Sequence, residues 1–205
     1  MTSFEVLYQG PLITKASKAL IILHGRGGNT RGVLSLADML CDDRFYVAAP
    51  QAPNGTWYPH SFMAEKKLNE PYLSTSIAEI KKLLDETEKF IPKHQIYIAG
   101  FSQGACLALE VSARFAAKYG GIVAFTGGLI GSTIDETKYQ GNFEGTTIFM
   151  SNGDQDPHVP LERSEQSKVL LEKLGANVTL KVYEGRAHTI TQDEINWVKK
   201  NIMHT

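Results

Sequence analysis

Gly100-Phe101-Ser102-Gln103-Gly104 is the stretch that decides the fold, because it has the form G-x-S-x-G between two segments of opposite character. The preceding segment, 95–99, is short, apolar and rich in strand formers, and the following one, 105–110, consists of good helix formers. A strand, a sharp turn between glycines and a helix in this order predict a nucleophile elbow, with Ser102 exposed on a strained turn.

The remaining chain alternates between strand-like and helix-like segments. Strands are expected at 4–8, 19–23, 45–49, 95–99, 122–125, 146–150 and 178–183, and helices at 34–40, 77–90, 103–118, 161–174 and from 191 onward. Gly175 is expected to end the fourth helix, and Thr191 with Glu194 forms a capping-box pattern at the start of the last one. This alternation predicts one α/β domain over 1–205 with a mostly parallel sheet, in which ligands bind at the carboxyl ends of the strands.

Composition excludes several classes of function. The net charge of −1, with scattered Lys and Arg, gives no electrostatic footprint for nucleic acid. No apolar run approaches the ~20 residues of a membrane span, and the first residues lack a signal-peptide pattern, so a cytoplasmic protein is expected. Cys41 and Cys106 are too few for a disulfide framework, and without CxxC or HExxH spacing no metal site is expected.

Two long connections, 50–75 and 127–145, are expected to be functional, because loops of this length are uncommon in compact domains. The first contains two aromatic residues that look exposed, Trp57 and Tyr58, followed by Phe62. We predict that it forms a wall of the substrate pocket. The alternative is a packing loop that covers a sheet edge.

A serine nucleophile needs a histidine base, and the histidine needs an acid that fixes its tautomer. The acid is expected after the strand at 146–150, where Asp154 and Asp156 are both candidates. Asp156 is favoured because it precedes Pro157 on a turn that can aim its carboxylate inward, whereas Asp154 is typical of a turn former. His188 is the expected base, because it lies between the last strand and the last helix and completes the order Ser, Asp, His.

Two backbone N–H groups are needed to hold the oxyanion of an ester hydrolysis. Gln103 is expected to supply one, because it follows the nucleophile directly. Arg26, within the glycine-rich stretch 24–28 after a predicted strand, is expected to supply the other. Such a stretch could also bind phosphate, but the dinucleotide pattern G-x-G-x-x-G is incomplete here, since Thr30 stands at its last position.

With these motifs the sequence resembles the phospholipase/carboxylesterase family of α/β-hydrolases, which includes acyl-protein thioesterases and bacterial carboxylesterases. The matching stretches are Leu23-His24-Gly25, Ala49-Pro50 with Trp57, the hexapeptide GFSQGA at 100–105, Gly153-x-x-Asp156-x-x-Val159-Pro160 and Gly185-x-x-His188. The resemblance implies an α/β-hydrolase fold without a lid domain. It implies a cofactor-free triad of Ser102, Asp156 and His188, with Arg26 and Gln103 as oxyanion donors. It also leaves room for a homodimer.

The chain departs from this family at Arg26, where acyl-protein thioesterases look like they carry an apolar residue. His60 and His158 are further additions near the expected pocket, read as pocket or rim residues rather than metal ligands. With Trp57, Phe62 and Leu129 as the other expected pocket residues, these departures favour short-to-medium acyl chains. Whether the Arg26 side chain points into the pocket or only its backbone contributes is left open by the sequence.

The function expected is therefore a serine carboxylesterase acting on small-molecule esters. Two alternatives remain. A thioesterase or lysophospholipase would prefer longer acyl chains, and a non-catalytic binding module would fail to react with a fluorophosphonate at Ser102.

Overall fold

Seven strands form one sheet in the computed structural model, which describes residues 4–204. The strands are β1 Val6–Gln9, β2 Lys18–Leu23, β3 Phe45–Pro50, β4 Ile96–Phe101, β5 Gly121–Phe125, β6 Thr147–Gly153 and β7 Asn177–Tyr183. Their order is β1-β3-β2-β4-β5-β6-β7, and only β1 runs antiparallel to its neighbour. This is the expected α/β-hydrolase sheet, with β4 and its elbow near the centre.

The helices cover both faces of the sheet. They are α1 Thr30–Leu40, α2 Lys66–Asn69, α3 Tyr72–Glu88, α4 Gln103–Arg114, α5 Leu161–Lys173 and α6 Gln192–Val198. Alternate residues of β2 point into two separate cores: Leu20 and Ile22 pack with α1 and α6, while Ile21 and Leu23 pack with α3, α4 and α5. Burial on both faces explains why the central strands are continuously apolar.

Several predicted helix boundaries were wrong. α1 begins at Thr30 rather than at residue 34, because the Asn29 side chain caps it by accepting from the N–H of Gly32 at 2.9 Å. α3 begins at Tyr72 instead of Ile77. α4 ends at Arg114 and not at residue 118, since Phe115 leaves the helical conformation and the Ala116 N–H donates to the carbonyl of Gln140.

The two predicted helix-end signals are confirmed. Gly175 has φ +84°, and the N–H of Ala176 returns to the carbonyl of Leu171 at 3.1 Å, as in a Schellman-type ending. Glu194 accepts a hydrogen bond from the N–H of Thr191 at 2.7 Å, the expected capping-box contact.

Candidate active site

The elbow holds Ser102 in a conformation that L-residues rarely adopt. Ser102 has φ 54° and ψ −118°, and it stands between the last residue of β4 and the first residue of α4. Its N–H donates to the carbonyl of Phe125, and its carbonyl accepts from the N–H of Cys106. These two hydrogen bonds hold the backbone of Ser102 in its strained conformation, as is typical of functional turns.

The flanking glycines are required by close backbone contacts. A Cβ on Gly100 would stand 2.3 Å from the carbonyl oxygen of Gly104, and a Cβ on Gly104 would stand 2.3 Å from that of Leu23 and 2.5 Å from that of His24. The start of α4 therefore lies directly against the end of β2. A side chain on Gly100 would push the start of α4 away from β4, and one on Gly104 would push it away from β2.

We expect Gly104→Ala to lower the free energy of unfolding by about 1–3 kcal/mol, because overpacking against rigid backbone has this cost. Gly32→Ala is the matched control, since its Cβ would meet only the side-chain oxygen of Asn29 at an ordinary 3.7 Å. That variant should gain up to ~1 kcal/mol from helix propensity and chain entropy. Urea unfolding measures both changes, and equal stability of the two variants would contradict the close-contact explanation.

Three side chains from three strand ends meet at the elbow. His188 Nε2 lies 2.8 Å from Ser102 Oγ, and His188 Nδ1 lies 2.7 Å from Asp156 Oδ2. Asp156 follows β6 and His188 follows β7, so the carboxyl ends of neighbouring parallel strands bring them together. With the ring proton on Nδ1 donated to Asp156, the Nε2 lone pair faces the hydroxyl of Ser102.

The carboxylate of Asp156 is buried and held in place by backbone. Its Oδ1 accepts from the N–H groups of His158 and Val159, both at 2.9 Å. Burial alone would raise the pKa of Asp156, but the bonds from His188 and these two N–H groups outweigh burial and hold the pKa below its usual value. Asp154, the alternative acid, instead accepts from the N–H of Gly185 at 2.8 Å and does not reach His188.

The N–H groups of Arg26 and Gln103 have no hydrogen-bond acceptor among residues 4–204. The N–H of Gly28 donates to the carbonyl of Gly25, which tightens the turn around Arg26. A Cβ on Gly25 would stand 3.5 Å from Cβ of Ser102, so this turn lies beside the serine. Two unbonded donors on either side of a nucleophile can hold a developing oxyanion.

The neutral imidazole of His24 holds the turn around Arg26 in place. Its Nδ1 donates to the carbonyl of Gly25 at 2.7 Å, and its Nε2 accepts from the N–H of Ala52 at 3.1 Å. Burial lowers the pKa of His24, so the neutral form fits these two bonds. The ring of Trp57 packs against this ring in a tilted arrangement, with 4.8 Å between centroids, and its Nε1 donates to the carbonyl of His24.

A cleft of about 390 Å³ opens at Ser102. It is lined by Arg26, Tyr58, Pro59, His60, Ser61, Phe62, Ser102, Gln103, Cys106, His158, Val159 and His188. Of the expected pocket residues, Phe62, His60 and His158 lie on its wall. The ring of His158 packs edge-on against that of His188, with 4.7 Å between centroids.

The prediction for Trp57 and Leu129 was wrong, because neither lines this cleft. Trp57 is 1% exposed beneath His24, and Leu129 is fully buried, with its N–H bonded to Ser167 Oγ. The expectation that Trp57 and Tyr58 are exposed also fails, since both side chains are core residues. The 50–75 connection therefore packs the rings of Trp57, Tyr58 and Phe62 inward and presents only 58–62 to the cleft.

Sequence reasoning missed the side chain of Gln103, which was expected to contribute only its backbone. Gln103 Oε1 accepts from the N–H of Trp57 at 3.0 Å and from Thr56 Oγ1 at 3.2 Å, and Nε2 donates to the carbonyl of Tyr58 at 2.8 Å. The Gln103 side chain therefore joins the elbow to residues 56–58 of the 50–75 connection. An amide beside a nucleophile gives no sequence signal for that role, because its partners are brought in by a distant segment.

The side chain of Arg26, whose direction the sequence left open, reaches across to the same loop. Nη1 donates to the carbonyl of Pro59 at 2.7 Å and Nη2 to that of His60 at 2.6 Å. Arg26 thus contributes both an unbonded backbone N–H and a fixed guanidinium to the cleft.

A buried ion pair supports the loop that carries His188, and it too was missed. Arg186 Nη1 donates to Glu194 Oε1 at 2.5 Å, and Nη2 donates to Thr126 Oγ1 at 2.6 Å. The side chains of Arg186 and Glu194 are 4% and 0% exposed. The only signal in the sequence was Glu194, which the capping-box pattern had already explained.

Neither cysteine offers a competing nucleophile. Burial raises the pKa of the Cys106 thiol to about 12, and the same cause with nearby acids raises that of Cys41 to about 12. Within 4–204 we find no group of three or more His, Cys, Asp or Glu side chains placed to hold a metal ion. No helix within these residues is both long and apolar enough to cross a membrane.

Comparison with known proteins adds independent evidence. The family model described as Phospholipase/Carboxylesterase matches residues 11–205. Acyl-protein thioesterase 1 of Saccharomyces cerevisiae is 31% identical, over 93% of this chain and 95% of the yeast protein, and the Candida albicans protein of the same name is 31% identical over 92% of both.

Solved structures agree with these sequence matches. The phospholipase/carboxylesterase from Dyadobacter fermentans is 46% identical with a TM-score of 0.96, and 99% of each chain is covered. The Bacillus cereus carboxylesterase is 28% identical with a TM-score of 0.78, over 96% of this chain and 92% of that one.

Proposed function

The chain belongs to the phospholipase/carboxylesterase family of α/β-hydrolases, and from this premise we propose that it cleaves short-to-medium carboxylic esters through Ser102, His188 and Asp156. The family and its relatives make the protein a serine hydrolase that acts on ester bonds. The observation that carries the residue assignment is the continuous hydrogen-bonded chain Ser102–His188–Asp156, with bonds of 2.8 and 2.7 Å.

In the acylation step, Ser102 Oγ attacks the ester carbonyl while His188 Nε2 takes the hydroxyl proton. The carbonyl oxygen becomes an oxyanion between the N–H groups of Arg26 and Gln103. Collapse of this intermediate breaks the bond to the alcohol, which leaves with the proton from His188 and gives an acyl-serine.

In the deacylation step, a water molecule gives its proton to His188 and attacks the acyl-serine carbonyl. The second oxyanion collapses, the carboxylic acid leaves, and His188 returns the proton to Ser102. Asp156 stays ionised throughout, orients the imidazole and stabilises its cation. Its lowered pKa suits this role, because the carboxylate stays charged at pH values where an ordinary aspartate begins to take up a proton.

The acyl-length preference is tested with p-nitrophenyl esters from acetate to palmitate. We expect kcat/KM to be highest for acyl chains no longer than octanoate, because the cleft has only about 390 Å³ and a buried floor of Tyr58 and Cys106. A maximum at laurate or beyond would contradict this expectation and favour a thioesterase or lysophospholipase.

The acyl-protein thioesterase relatives make thioester cleavage the second candidate. Matched oxygen and sulfur esters of one acyl group separate the two. Preference for the thioester, after correction for the intrinsic reactivity of each leaving group, would favour the second candidate.

We further propose that the protein works as one domain in the cytoplasm. Both cysteines are free, which suits a reducing compartment. A homodimer stays a prediction from the family resemblance, and light scattering of the native protein measures it.

A further inference from the structure

Apart from the buried Tyr58 hydroxyl and Cys106 thiol, the ionisable side chains on the cleft wall are all basic. They are Arg26, His60, His158 and His188, and no Asp or Glu side chain of residues 4–204 lines the cleft. This departs from the chain as a whole, whose acidic and basic residues nearly balance at a net charge of −1. Asp156, the acid of the triad, is buried and bonded to His188.

Arg26 is a full positive charge without a carboxylate partner. Its guanidinium is held by two neutral carbonyls, and it forms no ion pair within the described part of the chain. Arg44, Arg114 and Arg186 each lie within 4.0 Å of a carboxylate, whereas Arg31 and Arg163, which form no ion pair among residues 4–204 either, do not line the cleft. Two of the five N–H bonds of Arg26 are used, so three can still donate to an anion.

The Arg26 charge acts at Tyr58, on the floor of the cleft, together with the charge of Glu110. Burial raises the pKa of the Tyr58 hydroxyl, the nearby Arg26 charge opposes this rise, and the Glu110 carboxylate adds to it. Glu110 itself is fully buried, is paired with Arg114 and does not line the cleft. At about 390 Å³, the cleft is at the low end of ligand pockets. A short substrate bound at Ser102 therefore lies within the field of a fixed guanidinium.

We propose that the preferred substrates are short esters that carry a free carboxylate, which Arg26 binds while Ser102 attacks the ester carbonyl. This inference rests on the proposed esterase function and names the substrate class of that same site. Guanidinium and carboxylate form strong charge-assisted bonds, and the rigid hold on Arg26 reduces the entropy lost on binding. The carboxylate can stand on the acyl side or the alcohol side of the ester, since both sides extend from the carbonyl beside Arg26.

The test compares esters that differ in one charge. Monomethyl glutarate and methyl 4-carbamoylbutanoate have the same number of heavy atoms and place the charge on the acyl side. 3-(Butanoyloxy)propanoic acid and its primary amide place it on the alcohol side. In at least one pair we expect kcat/KM for the acid to exceed that for the amide by about tenfold or more, as a charge-assisted bond predicts.

Two further measurements assign the effect to Arg26. Arg26→Gln should reduce the acid-to-amide ratio toward one, whereas Arg31→Gln, on the exposed face of α1, should leave it unchanged. Should Arg26→Gln fail to fold, added salt should slow hydrolysis of the acid by the wild-type protein and leave the amide unaffected. A wild-type ratio of one or less in both pairs, or a ratio that Arg26→Gln leaves intact, overturns the inference.

The neutral ester p-nitrophenyl butyrate separates this outcome from failure of the function itself. Its hydrolysis together with an acid-to-amide ratio of one overturns only the substrate class. If the wild-type protein cleaves none of these esters, the proposed function falls and the substrate class with it.

Discussion

Ser102→Ala should lower kcat/KM for p-nitrophenyl butyrate by a factor on the order of 10⁴ to 10⁶, the range found when a triad serine is removed. Without Oγ no acyl-enzyme forms, and the remaining N–H groups of Arg26 and Gln103 can only polarise the carbonyl. The substitution removes one oxygen atom at φ 54° without adding bulk, so the thermal unfolding midpoint should change little.

Ser35→Ala is the matched control, because Ser35 lies exposed on α1 and, among residues 4–204, its hydroxyl bonds only to the carbonyl of Arg31. Its activity should equal that of the wild type. A fluorophosphonate should add its mass to the wild-type and Ser35→Ala proteins but not to Ser102→Ala. Hydrolysis by Ser102→Ala at more than about a hundredth of the wild-type rate would overturn the assignment.

The triad should also act as one unit. His188→Gln should cost nearly as much as Ser102→Ala, and the double variant should cost no more than either, because the nucleophile and its base contribute to the same step. Additive losses would mean that His188 acts elsewhere in the reaction. Asp156→Asn should also reduce kcat strongly, since an amide can hold the wrong tautomer of His188.

The sheet could be predicted from the sequence because both of its faces are buried. The central strands contain short apolar runs such as 19–23 of β2, in which every residue is buried, and such runs stand out from the amphipathic helices around them. The helix-end signals at Gly175 and Glu194 could be recognised because their contacts are local. Gly175 and Glu194 act within one turn of the chain, whereas the end of α4 depends on pairing of Ala116 with the distant Gln140–Gly141 segment.

The same distinction applies to the site. Ser102, Asp156 and His188 could be proposed as the triad because each follows a predicted strand. The carboxyl ends of parallel strands lie at one edge of the sheet, so these residues are expected to be close together. The contacts of the Gln103 and Arg26 side chains depend on where the 50–75 connection folds back. Trp57 was misplaced for the same reason: an aromatic residue in a long loop looks exposed until the ring that covers it, His24, is known.

Arg186→Met should lower the free energy of unfolding by about 3–5 kcal/mol, the usual cost of removing one partner of a buried ion pair. Glu194 would remain fully buried with its charge uncompensated, and Thr126 Oγ1 would lose the bond from Nη2. Lys168→Met is the control, because the Lys168–Glu172 pair is more than a third exposed at 38% and 45%. That substitution should cost less than about 1 kcal/mol in urea unfolding.

The double variant Arg186→Met/Glu194→Leu tests the cause of the lost stability. The cost can come from the lost attraction between the two side chains or from the unpaired Glu194 carboxylate left in the core. If the uncompensated carboxylate carries the cost, the second substitution should recover part of the stability even though it removes another polar group. The recovery should be incomplete, since Glu194 also accepts from the N–H of Thr191 at the start of α6. If the double variant is less stable than Arg186→Met by as much as loss of the Thr191–Glu194 contact would cost, the unpaired carboxylate does not explain the loss of stability.

Activity shows whether Arg186 also positions the base. Arg186 stands two residues before His188, and its carbonyl packs against Gly153 at the end of β6. If the ion pair fixes the His188 loop, Arg186→Met assayed well below its unfolding midpoint should lose about tenfold or more in kcat with KM little changed, because a small displacement of a catalytic group is costly. A purely structural role would lower only the unfolding midpoint, so an unchanged kcat in the folded variant would remove Arg186 from the positioning of His188.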